Sequence, residues 1–186
     1  MILNYIHKYL TIKIKKKVKN YNLFKNIDKD EIKLNPGLFY ILVDNRYLDQ
    51  NEQKNISNSI INFLQSIPKG SYYKIFGLDV KPKEYNQENI NESISKIDSF
   101  QLDTNKIINI NYILNLIHLS KNEYKNYLLP KNIFIITEGD IEPESEVLNI
   151  IEKLSNDFTF YLIGIGQHLN KEFISNAGYC GKDTFR

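Results

Sequence analysis

Residues Leu38-Phe39-Tyr40-Ile41-Leu42-Val43 form an unbroken apolar run, bounded by Pro36-Gly37 on one side and Asp44 on the other. A strand with one wetted face alternates apolar and polar residues. A run this short, β-rich and uninterrupted instead fits a strand covered on both faces, as in a parallel sheet sandwiched between helices. The rest of the chain must then supply parallel partners and the crossover helices that join them.

It does so in alternation. Ile56, Ile60, Phe63, Leu64 and Ile67 fall on one helical face, which Pro68 and Gly70 terminate. Residues 72–78 read as a second strand and residues 81–85 as a short edge strand. Ile90, Ile94 and Ile97 mark a short amphipathic helix, residues 99–105 a loop, and Ile107, Ile110, Leu114 and Ile117 a further helical face. After Pro130, Ile133-Phe134-Ile135-Ile136 is a third buried strand, ended by Thr137-Glu138-Gly139. Pro143 among Glu142, Glu144 and Glu146 suits the first turn of a helix whose buried side is Val147, Ile151 and Leu154. Residues 158–165 read as the next strand, 169–177 as a short helix and 182–185 as a last strand.

Right-handed crossovers stack these elements into a three-layer, Rossmann-like α/β architecture, an open and mostly parallel sheet with helices on both faces. Ligands of such sheets bind outside the carboxyl ends of the strands. Asp44, Glu138 and the 99–105 loop are therefore expected to meet at one edge.

The 186 residues suit one domain, assigned to 35–186, preceded by a basic extension over 1–34. The extension holds nine lysines against Asp28, Asp30 and Glu31, a net +6, which leaves −4 for the remainder of a chain whose total is +2. Its stretch 9–21 alternates partly, with Leu10, Ile12, Ile14 and Val18 set between lysines, as in an exposed strand. Lys13, Lys15, Lys16, Lys17 and Lys19 could contact nucleic acid. However, 29 Ile, 24 Asn and 22 Lys against a single Ala point to an A/T-rich genome, which lowers the meaning of any one lysine run. A solvated edge protected by charge explains the run more simply.

Cys180 is the only cysteine, which excludes an intrachain disulfide and a zinc site built from cysteines. No apolar stretch approaches the ~18 residues of a membrane span, and residues 1–10 lack the apolar core of a signal peptide. A cytoplasmic or nuclear location is expected, with no membrane partner.

Several features resemble a von Willebrand factor A (vWA) domain over about residues 36–185. They are the strand ending at Asp44, the stretch Ser66-Ile67-Pro68-Lys69-Gly70-Ser71-Tyr72-Tyr73 leading to Phe76-Gly77, and Glu84-Tyr85-Asn86-Gln87-Glu88-Asn89-Ile90. Thr104-Asn105, Ile135-Ile136-Thr137-Glu138-Gly139, Ile163-Gly164-Ile165-Gly166 and Ala177-Gly178 follow in the order and spacing of that family. The resemblance is nearest to the intracellular type found in inter-α-trypsin-inhibitor heavy-chain-like and vault poly(ADP-ribose) polymerase-like proteins. It implies a metal-ion-dependent adhesion site (MIDAS), where Mg²⁺ or Mn²⁺ holds a partner's carboxylate. Of the motif Asp-x-Ser-x-Ser, Asp44 matches, while Arg46 and Leu48 replace the two serines. Thr104 matches the loop threonine, and Glu138 replaces the third-loop aspartate. Such domains also carry a closing helix after the last strand; this chain stops at Arg186, immediately after Phe185, so the expectation is either that the helix is lost or that the chain is a fragment of something longer.

A degenerate site follows on physical grounds. Mg²⁺ demands near-octahedral oxygen coordination at ~2.1 Å, and Leu48 offers no oxygen. A fixed guanidinium at Arg46 repels a dication and can itself satisfy Asp44 or Glu138. The expected ligand-binding face is thus Asp44, Arg46, Tyr47, Thr104 and Glu138, with no metal and no other cofactor, docking a protein partner. The alternatives are a metal-dependent module using Asp44, Thr104 and Glu138, and a nucleic-acid binder using the N-terminal lysines.

No enzyme is expected. His7, His118 and His168 lack ligand or triad spacing, and Cys180 has no recognisable base. Gly164-Ile165-Gly166 lacks the third glycine of a dinucleotide loop and reads as a packing feature.

Overall fold

The six-residue apolar run Leu38–Val43 is strand β1, buried along its whole length. The computed structural model describes residues 35–44, 50–99, 109–165 and 168–181. Among these, β1 is the centre of a five-stranded sheet with β2 (Tyr72–Ile75), β3 (Lys83–Glu84), β4 (Lys131–Thr137) and β5 (Thr159–Gly164), in the order β3-β2-β1-β4-β5. β1 is parallel to β2 and to β4, and β4 to β5. Only the short β3 is antiparallel, to β2.

Because successive strand residues point to opposite faces, the run divides into two sets. Phe39, Ile41 and Val43 meet helices α1 (Gln50–Ser66) and α2 (Gln87–Ser99), which contribute Ile56, Phe63, Leu64, Ile90 and Ile97. Leu38, Tyr40 and Leu42 meet the other layer: α3 (Ile110–Leu119), α4 (Lys121–Lys125), α5 (Glu144–Leu154) and α6 (Lys171–Cys180). An apolar residue at each position of β1 is thus required by a sheet with no wet side. Aromatic contacts fix α1 on its face, with Phe39 meeting Phe63 edge-on at 5.6 Å and Phe134 lying 5.0 Å from Phe63.

Local signals set most boundaries. Asn109 and Asn170 cap α3 and α6, each accepting at 3.0 Å through its side-chain oxygen from the backbone N–H three residues on. The α1 helix face stops where Pro68 and Gly70 form a turn, Gly70 adopting φ +83°.

Three expectations change. The second strand covers 72–75 rather than 72–78, because Gly77 turns at φ +94° and the Asp79 carboxylate folds back to accept from Ile75 N–H at 2.8 Å. Phe76 is apolar because it packs edge-on against Tyr40 at 5.5 Å. Pro143 immediately precedes the first residue of α5 instead of occupying its first turn. The α4 turn is an element the sequence did not signal; it buries Tyr124 against Phe158, with ring centroids 4.7 Å apart. Ile107, the proposed strand at 182–185 and the extension 1–34 lie outside the described residues. Among the described residues, no helix is long and apolar enough to cross a membrane.

Candidate ligand-binding face at the β1/β4 edge

From β1 the chain crosses through α1 to β2 on one side, while β4 lies on the other side of β1. The winding direction therefore reverses between β1 and β4. Neighbouring crossovers leave a crevice at such a switch point, beyond the carboxyl ends of its two strands. Asp44 directly follows β1, and Glu138 directly follows β4.

The backbone at this edge is held tightly. Asp44 N–H donates to Ile136 C=O at 2.8 Å, extending the β1/β4 ladder one step. The Thr137 hydroxyl donates to Asp44 Oδ2 at 3.0 Å and accepts from Gly139 N–H at 2.9 Å. One fully buried oxygen thereby orients the carboxylate of one strand and the turn leaving the next. Gly139 turns at φ +85°, and a Cβ there would stand 3.0 Å from the Asn170 carbonyl. Asn170 N–H in turn donates to Glu138 C=O at 2.7 Å, and Ile165 N–H to Thr137 C=O at 3.0 Å. The ends of β4 and β5 and the start of α6 are bound into one unit.

Asp44 is only 4% exposed and Glu138 only 6%. Burying a carboxylate costs several kcal/mol unless donors or a counter-charge compensate, so two at one crevice mark a place where positive charge or hydrogen-bond donors are required. Thr137 supplies one such donor to Asp44.

Of the residues proposed from the sequence, Asp44 and Glu138 stand at adjacent strand ends as expected. Arg46, Tyr47 and Thr104 lie outside the described residues, as do Leu48, residues 100–105 of the loop, and Lys13, Lys15, Lys16, Lys17 and Lys19. Thr137 is the residue the sequence reading missed. It served there only as the end of an apolar run, yet the pairing of Val43 with Ile136 places it beside Asp44. A threonine one step beyond a buried parallel strand, level with an acid on its neighbour, was the available signal.

Among the described residues, no group of three His, Cys, Asp or Glu side chains is placed to hold a metal ion. Asp44 and Glu138, with one Asp44 oxygen already engaged by Thr137, do not by themselves make the six-oxygen site that Mg²⁺ demands. Of the other sequence candidates, Gly164 is explained by packing, since a Cβ would fall 2.6 Å from Leu169 Cδ1. Burial, with Glu152 nearby, raises the Cys180 thiol above its ordinary range, which disfavours the thiolate a nucleophile needs.

A five-stranded sheet in this order, helices on both faces and an acidic residue at both strand ends of the switch point together make the vWA fold. No protein-family model matches the chain, and no curated protein does. Among solved structures, the chain is similar to a manganese-loaded TRAP protein of Plasmodium vivax, with a TM-score of 0.61 and 16% identity over 78% of this chain and 63% of that one. It is similar to a von Willebrand factor type A protein from Catenulispora acidiphila, with a TM-score of 0.64 and 10% identity over 78% of this chain and 37% of that one. An aerotolerance-related membrane protein of Bacteroides fragilis gives a TM-score of 0.60 and 10% identity over 79% and 88%. The chain thus spans less than two thirds of the first two. Identities this low carry the fold and leave the ligand to be argued from the residues.

Proposed function

We propose that this chain is a non-enzymatic protein-interaction module that docks a partner at the β1/β4 crevice without a metal ion. The observation that carries this reading is the pair of buried acids, Asp44 and Glu138, at the two strand ends of the switch point. Arg46, two residues beyond Asp44, takes the place of the dication through a charge-assisted pair with one of these carboxylates. Tyr47 and Thr104, which lie outside the described residues, are the other two positions this reading assigns to partner binding. Of the vWA types, the inter-α-trypsin-inhibitor heavy-chain-like and vault poly(ADP-ribose) polymerase-like kind remains the nearest resemblance, in line with a cytoplasmic or nuclear protein.

A second reading, metal-dependent docking through Asp44, Thr104 and Glu138, is favoured by the likeness to a manganese-loaded protein. Thermal unfolding of the full chain with Mg²⁺ or Mn²⁺, beside an Asp44→Ala variant, distinguishes the two. The metal-free reading expects no shift with either ion. Saturable stabilisation by about 2 kcal/mol or more in the parent alone, as mass action gives for an ion far above its dissociation constant, overturns it.

A further inference from the structure

Of the two buried acids at the switch point, Asp44 is provided for and Glu138 is not. Asp44 receives the Thr137 hydroxyl at 3.0 Å. Glu138 is 6% exposed, and among the described residues no hydrogen bond or ion pair engages its carboxylate. Neither of its oxygens is sealed from solvent. Its backbone is held, with the carbonyl accepting from Asn170 N–H at 2.7 Å, so the carboxylate is presented from a fixed strand end.

The charges of the crevice do not balance either. Arg46 brings one positive charge against the two carboxylates of Asp44 and Glu138. One negative charge is left over, where it lowers stability as long as no cation reaches it. Folding alone gives no reason to keep it, because glutamine has the same shape without the charge.

The surroundings carry the same sign. Glu142 and Glu144 lead into α5, and Glu172 stands in the first turn of α6, whose start is joined to Glu138 through Asn170. Among the described residues, no ion pair engages any of these three. Acids also suit helix N-termini, so this rim by itself assigns no ligand. Glu138 lies outside any helix and has no such explanation. Beside it, the β4/β5 register continues from Thr137 and Gly164 to set the half-buried Ile165 level with Glu138, an apolar surface for an aliphatic stem.

We propose that the partner's anchor is a lysine side chain, its ammonium meeting Glu138 and its methylenes lying along Ile165. A compact charge on a slender stem suits so recessed a carboxylate better than the broad guanidinium fork. The inference rests on the reading of this crevice as a metal-free docking face. It makes the crevice select a basic partner, where a metal-bridged crevice selects an acidic one.

The probe is Nα-acetyl-lysine methylamide, titrated at constant ionic strength into the isotope-labelled full chain and followed by amide NMR, beside its uncharged norleucine analogue. Saturable shifts of the Gly139 and Ile165 amides are expected with the lysine probe alone. Glu138→Gln should weaken its binding about tenfold or more, the worth of a charge-assisted hydrogen bond. Glu142→Gln, at the exposed rim, should weaken it less than about twofold. Without any probe, Glu138→Gln should raise Tm, since it removes a buried charge that the chain leaves unpaired. A lower Tm overturns the proposal, because the chain itself then holds the carboxylate. Equal shifts with the norleucine analogue overturn it too, as does an equal loss in Glu142→Gln, which marks general attraction to an acidic edge. If the lysine probe does not bind and neither Mg²⁺ nor Mn²⁺ shifts these amides, the proposal falls while the metal-free reading stands. If either ion saturates them, both fall.

Discussion

Replacing Thr137 by Val changes shape little and chemistry a great deal. The side chain is fully buried, and its hydroxyl makes two hydrogen bonds, to Asp44 Oδ2 at 3.0 Å and from Gly139 N–H at 2.9 Å. The first involves a carboxylate, a class worth about 1.5–3 kcal/mol. The second leaves a buried N–H without its acceptor, a loss of about 1–3 kcal/mol. Allowing for overlap, Thr137→Val should lower unfolding stability by about 3 kcal/mol, or about 6–12 °C in Tm for a domain of this size. Thr137→Ser, which keeps the oxygen and removes a methyl group, should cost about 1 kcal/mol. Urea titration of both variants measures the difference, provided the slope stays constant. If Val and Ser cost the same, or Val costs under 1 kcal/mol, the hydroxyl does not organise this edge and the account of the crevice fails.

Leu114→Ala should destabilise by about 2–5 kcal/mol and Leu119→Ala by under about 0.5 kcal/mol, which checks the register of α3 by denaturation. Gly139→Ala should cost more than Gly70→Ala. Both have positive φ, but a Cβ at Gly139 meets the Asn170 carbonyl at 3.0 Å, while at Gly70 nothing lies nearer than 3.9 Å; thermal unfolding of the pair decides. Burial and then Asp157 push the Tyr124 phenol up to about 12, so the folded state holds its proton longer than the unfolded state does. That contribution is complete below pH ~10 and declines as pH rises toward 12, so stability should fall across this window, and less steeply in Tyr124→Phe. Cys180, whose thiol burial raises, should react with iodoacetamide at pH 7 more slowly than a free thiol.

Much of this architecture was legible in the sequence because it rests on the two periodicities that sequences carry most plainly. The unbroken Leu38–Val43 run is apolar at every position since both faces are covered, and the α1 face at Ile56, Ile60, Phe63 and Leu64 is buried as its spacing implies. The failures were of another kind. Phe76 and Leu78 are apolar without being strand, because the turn around Gly77 and Asp79 still presses Phe76 onto Tyr40. Tyr124 is a core residue on a five-residue helical turn too short to show any period. At the candidate site, Asp44 and Glu138 could be placed by topology, since strand ends were predictable. The role of Thr137 depended on strand register, which no single segment encodes.

The position of the crevice is a property of winding direction. Two crossovers leave β1 and β4 in opposite senses, and the gap between them opens wherever that is true, whatever side chains line it. The frame can therefore persist while its occupant changes. Identities of 10–16% alongside TM-scores of 0.60–0.64 show this backbone frame shared among chains whose side chains largely differ.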